Sequence, residues 1–152
     1  MSKHHIYCIY RKLIIMSRAV DKKIIDALKN AIKNNDYELV KEIVTNPKIL
    51  TAEIDGYTPF AYAINQSSSF AIIRLLATED IVKSDQGILL YVINQYNPED
   101  QVELIKFIVN IMPYTLRKKW SEGNTPLMYA LTANPNINVI SALLYPGFDT
   151  YT

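Results

Sequence analysis

The side chains with the widest catalytic repertoire are gathered at one end of this chain. The only two histidines are His4 and His5, and the only cysteine is Cys8. Beyond them, 144 of the 152 residues contain no imidazole to serve as base for a Ser or Cys nucleophile. No Cys/His grouping has zinc spacing, and four scattered glycines make no phosphate-cradling loop. An adjacent pair such as His4–His5 holds a metal weakly at best, and a solvated pair is the simpler reading. Glu99 and Asp100 fall in a turn before a helical pattern, where carboxylates favour the positive end of the helix dipole. The residue types therefore predict no enzyme, no cofactor and no metal site.

Binding chemistry is better represented. Among 11 tyrosines, Tyr62, Tyr91 and Tyr129 recur at matching places in helical segments, the pattern of packing between neighbouring helices. Tyr57 differs, because it lies in a turn between Gly56 and Thr58. The single tryptophan, Trp120, follows Arg117, Lys118 and Lys119. A Trp beside three cations suits an acidic or aromatic partner surface, and the alternative is that its ring folds back over a neighbouring turn. The same cluster over 117–120 offers nucleic-acid phosphates a contact, but a net charge of +1 supplies no general attraction to them.

Composition bounds the rest. A length of 152 residues suits about one domain, and 49% apolar against 20% charged residues argues against general disorder. A lone Cys8 excludes an intramolecular disulfide and fits a reducing compartment. The apolar run from Ile6 to Ile15 is interrupted by Arg11 and Lys12. It is shorter than the roughly 20 residues a bilayer needs and lacks the order of a secretory signal. Residues 1–16 read as an extension, with Met16 as an alternative start.

The elements that position these residues repeat along the chain. Second helices begin at Leu39, Ile72, Leu104 and Val139, spaced 33, 32 and 35 residues apart. Each begins with two apolar residues and returns to apolar one turn later, with a polar or basic residue at the third place. First helices precede them around Ala31, Ala63, Val92 and Ala130, small residues that permit close helix approach. Gly56-Tyr57-Thr58-Pro59-Phe60-Ala61-Tyr62-Ala63 and Gly123-Asn124-Thr125-Pro126-Leu127-Met128-Tyr129-Ala130 share one grammar: a glycine to turn, a threonine to cap, a proline to open the helix. Their prolines lie 67 residues apart, about two periods of a 33-residue repeat.

This alternation resembles the ankyrin repeat over roughly residues 21–152. Ala61 and Met128 stand where the family favours His, and Gly87-Ile88 replaces Thr-Pro in the third unit, which is therefore expected to be irregular. The first unit lacks the turn and carries Lys22, Lys23, Lys29 and Lys33, as suits a solvated capping repeat. The resemblance implies an all-α ankyrin-repeat solenoid of about four helix-turn-helix units with short finger turns, over 20–52, 53–82, 83–119 and 120–152. It implies Leu116 as the anchor of the last finger and Trp120 at that finger's exposed tip.

By the same resemblance the function is non-catalytic protein–protein interaction through fingers and first helices, in a cytoplasmic setting, with a host factor as a partner if the origin is a large DNA virus or an intracellular bacterium. The implied contact residues are Ile54, Asp55, Tyr57, Asn65, Gln66, Gln86, Asn94, Gln95, Lys118, Lys119, Trp120 and Asn124. A truncated piece of a longer repeat protein, nucleic-acid binding through 117–120, and self-association through an uncovered C-terminal face are the alternatives.

Overall fold

The computed structural model describes residues 21–94, 100–133 and 136–144. The expectations for residues 1–16 and for Gln95 fall outside them. Among the described residues there are nine α-helices, three short 3-10 segments and no β-strand. The chain is all-α, and it divides after Ile81 into two compact units.

In the first unit, α1 (Lys22–Lys33) buries Ile24, Ala27, Leu28, Ala31 and Ile32, a stripe that returns every three or four residues. Lys22, Lys23 and Lys33 face solvent. Asp21 caps its start by accepting from the Ile24 N–H at 3.0 Å. The helix ends on Asn35, held left-handed at φ 54°. The Asn35 N–H donates to the Ile32 carbonyl at 3.0 Å and the Asp36 N–H to the Ala31 carbonyl at 2.9 Å. This is the paired closure of a Schellman motif, which satisfies carbonyls the helix leaves open. Asp36 then caps α2 (Tyr37–Ile43) through the Leu39 N–H.

The same device recurs 32 residues on. After α3 (Pro59–Asn65), Ser67 takes φ 54°, and Ser67 and Ser68 donate to the Ile64 and Ala63 carbonyls, each at 3.0 Å. Ser69 caps α4 (Phe70–Leu76). The Ser69 N–H also donates to the Asn35 side-chain oxygen at 2.9 Å, so one inter-helix turn is bonded directly to the next. First helix packs on first helix (α1 on α3) and second on second (α2 on α4), which makes two layers. Leu28, Ile32, Ile43, Phe60, Ile72 and Leu76 close the core between them.

The short helix α5 (Glu79–Ser84), capped through Thr78, spans the division between the units. In the second unit, α6 (Ile88–Asn94) packs against α7 (Gln101–Ile111) and α8 (Pro126–Ala133), while α9 (Ile137–Leu144) packs against α7 and α8. The two-layer order of the first unit is repeated. The four second-helix blocks keep their register, since Leu39, Ile72, Leu104 and Val139 are all buried and so are Ile43, Leu76, Ile108 and Leu143 one turn later. Ala31, Ala63, Val92 and Ala130 are buried too, as close helix approach requires. Leu131, Ile137 and Leu144 on α8 and α9 are exposed by 53%, 71% and 47%.

Three details depart from the sequence pattern. Each connection between successive helix pairs carries a short helix, Pro47–Thr51, α5 and Pro113–Leu116, that pins buried side chains such as Ile49, Ile81 and Thr115. The anchor of the last connection is Thr115, fully buried with its hydroxyl donating to the Met112 carbonyl at 2.6 Å; Leu116 is only half-buried. A hydroxyl bonded to its own turn is satisfied without water, so Thr fits where an apolar anchor was expected. Finally, Gln101 is 5% exposed and donates to the Val92 and Ile93 carbonyls at 2.9 and 3.1 Å, closing the open end of α6.

The irregular start expected at Gly87-Ile88 has a specific form. No Thr caps α6; the half-buried Asp85 stands two residues ahead of Gly87. Burial raises the Asp85 carboxyl above its ordinary value, and the neighbouring Gly87 N–H only partly offsets the shift. The ionised form therefore costs stability in the folded state. That cost is absent below the ordinary carboxylate range and complete above the raised folded value. Asp85→Asn keeps an acceptor for Gly87 without the charge. Its melting temperature is expected to exceed that of the wild type at neutral pH, with the difference vanishing in acid. An equal or lower melting temperature at neutral pH would show that the charge on the Gly87 bond outweighs burial.

Candidate functional site

Both turn-and-proline starts work as the residue types demand. Thr58 accepts from the Ala61 N–H at 3.2 Å, and Thr125 from the Met128 N–H at 3.4 Å. The turns ahead of them differ. In the first unit, Ile54 and Tyr57 exchange backbone bonds of 2.8 and 2.9 Å around Asp55 (φ 51°) and Gly56 (φ 87°). Two left-handed central residues make the two-residue type I′ turn. In the second unit the loop has three residues, Ser121–Gly123. It is closed by the Trp120 N–H to the Asn124 carbonyl at 2.7 Å and the Gly123 N–H to the Trp120 carbonyl at 2.9 Å. Glu122 (φ 62°) and Gly123 (φ 76°) take the left-handed positions.

That extra residue decides where the tryptophan goes. Trp120 occupies the closing position that Ile54 holds in the first unit, so it stands at the base of its turn and not at an exposed tip. Its ring is half-buried, and its indole N–H is buried without a hydrogen-bond partner. It forms one wall of a recess of about 330 Å³ with Leu90, Tyr91 and Asn94 of α6, Asn124 of the turn and Tyr129 of α8. The Lys118 ammonium stands 4.3 Å from the centre of the indole ring, within cation–π range.

The remaining residues expected to contact a partner are distributed unevenly. Ile54 is 1% exposed and belongs to the core; the alternating pair Ile54–Tyr57 turns one side chain in and the other out, so Ile54 is withdrawn as a contact residue. Tyr57 is 45% exposed. Asp55 is exposed, and its carboxylate pairs with Lys29 of α1 at 2.9 Å, which raises the lysine above its ordinary value. Such a solvated pair orients the turn and adds little stability. Asn65 and Gln66 are exposed at the end of α3. Gln86 is engaged inside the second unit, donating to the Lys83 carbonyl at 2.7 Å and the Tyr114 hydroxyl at 2.9 Å. Lys118, Lys119 and Asn94 are exposed and Asn124 is half-buried.

Of the sequence-derived set, then, Asn94, Trp120 and Asn124 are brought together, and Lys118 lies over the Trp120 ring. Tyr91 and Tyr129 were read as packing residues and prove to line the same recess. Tyr62, at the matching place in the first unit, is 2% exposed and does pack. The signal that separates them is the neighbouring turn. In the second unit Trp120 lies beside Tyr91 and Tyr129, and the first unit has no tryptophan.

Among the described residues no group of three or more His, Cys, Asp or Glu is placed to hold a metal, and no helix is long and apolar enough to cross a membrane. Compared with models of known protein families, with curated proteins and with solved structures, the chain finds no match in any of the three.

Proposed function

We propose that this chain is a non-catalytic protein-recognition module built of ankyrin-like repeats, with the Trp120 recess as its principal contact. The observation that carries the reading is the recess itself. It gathers three aromatic side chains and two carboxamides, Asn94 and Asn124, from two helices packed on a buried second layer and from the turn that precedes α8. Large aromatic side chains on a rigid frame supply contact area at low entropic cost, and carboxamides supply paired donors and acceptors for a main chain. The ankyrin-like part of the proposal is supported by the 32- to 35-residue helix period, the Thr-Pro helix starts and the first-on-first, second-on-second packing within each unit. Tyr57 is a secondary contact in the first unit. A cytoplasmic setting, in keeping with the lone Cys8, and a host protein as partner belong to the same proposal.

The test is affinity capture from cell lysate with the full chain, comparing wild type with the Tyr57→Ala, Trp120→Ala double variant. Thermal melting establishes that both baits are folded. A protein retained by the wild type and lost by the folded variant is the expected result. A partner indifferent to both substitutions, or none at all, would remove the recess from the account.

A further inference from the structure

The walls of the recess are unusual in their charge. Neither α6 (Ile88–Asn94) nor α8 (Pro126–Ala133) carries a single charged side chain. Every charge in the stretch that closes the recess comes from residues 117–124, where Arg117, Lys118 and Lys119 face one carboxylate, Glu122. The Lys118 ammonium lies over the indole ring that forms one wall of the recess. A neutral, aromatic cavity with a cationic edge is complementary to an apolar ring that has an anion next to it. The size points the same way. At about 330 Å³ the recess sits at the small end of ligand pockets, which run from about 300 to 1,000 Å³. That suits one aromatic side chain with its adjoining backbone.

From these observations we infer that the recess recognises an extended acidic peptide segment in which an aromatic side chain is flanked by Asp or Glu. The aromatic ring enters between Tyr91, Trp120 and Tyr129. A flanking carboxylate takes Lys118 as its counter-charge, and Asn94 and Asn124 bond the peptide main chain. This inference rests on the protein-recognition reading and narrows its partner to one chemistry. A nucleic acid would also offer rings and anions. The near-neutral chain and a cluster of only three cations favour a peptide, because oligonucleotide affinity grows with the number of phosphates neutralised.

Trp120 is the only tryptophan, so its emission reports on the recess without a label. The full chain is titrated with three capped peptides: Phe flanked on both sides by Glu-Glu, Ala in place of that Phe, and Phe flanked by Lys-Lys. An oligothymidylate serves as the nucleic-acid arm. The expected result is a saturable change with the acidic Phe peptide, at least about tenfold weaker for the other two peptides and for the oligonucleotide. Lys118→Glu, a substitution at an exposed position, should weaken the acidic peptide about tenfold and leave the melting temperature unchanged. Equal binding of acidic and basic peptides, tighter binding of oligothymidylate, or no change with any peptide overturns the inference. Should the peptides fail while Trp120-dependent capture from lysate persists, the acidic-aromatic specificity is wrong and the recognition module stands; failure of both removes the module as well.

Discussion

Replacing Ile105 with Ala is expected to destabilise the protein by about 2–5 kcal/mol, the usual cost of emptying an aliphatic site that the surroundings cannot refill. Ile105 is fully buried on α7, the helix that packs against both α6 and α9. Its loss thins the second unit's core from the inside. For a chain of this length each kcal/mol lowers the melting temperature by about 2–4 °C, so a drop of roughly 4–20 °C should follow. In the first unit Phe60 is fully buried on the first helix α3, and Phe60→Ala should cost about 3–5 kcal/mol. Asn110, exposed on the same helix as Ile105, is the control. Asn110→Ala should stay within about 0.5 kcal/mol. Denaturant melts of the three variants decide the matter. An Ile105→Ala protein as stable as the Asn110→Ala control would contradict the two-layer packing of the second unit.

The largest expected effect on binding is at Trp120. Truncating an aromatic anchor at the centre of a contact typically costs at least 2 kcal/mol, which is about a thirtyfold loss of affinity. Trp120→Ala removes the indole wall of the recess and the surface on which Lys118 rests. Tyr57→Ala removes a side chain that stands alone on its turn in the first unit, 45% exposed, and should cost clearly less. Isothermal calorimetry with the captured partner ranks the two. Trp120→Ala is expected to be the more damaging, with a melting temperature showing that the variant is folded. The reverse ranking would move the site to the first unit's turn.

The helices and their register were legible because burial has a period. Leu39–Val40–Ile43 and its three counterparts announce a helix face two residues wide, and the core contains the positions that pattern selects except Ile140, which is half-buried. The Thr58-Pro59 and Thr125-Pro126 starts were legible because capping is local chemistry between neighbours in sequence. What escaped was set by single residues or by distant contacts. The three-residue loop Ser121–Gly123 looks like Asp55-Gly56 in sequence, and the one-residue difference moves Trp120 from tip to base. Alternation around Ile54 and Tyr57 hid which one points inward until the Ile54–Tyr57 backbone bonds were known. The short helices at Pro47 and Pro113, together with α5, are too brief for a periodic signal, and Gln101 closes α6 through carbonyls eight and nine residues away. The recess was half visible. Trp120 was singled out by residue type and Asn94 and Asn124 by the repeat resemblance, whereas the roles of Tyr91 and Tyr129 depended on the packing of α6 against α8.

Site-specific photo-crosslinking shows whether a partner docks at the Trp120 recess. A benzoylphenylalanine is placed at Asn94, exposed at the edge of the recess, and in a second protein at Glu103, exposed on α7 of the same unit. After irradiation in lysate, the expected result is a crosslinked partner protein from position 94 that is absent from position 103 and is suppressed by excess acidic Phe peptide. Crosslinking from Glu103 alone, or equally from both positions, would contradict a recognition site at the Trp120 recess.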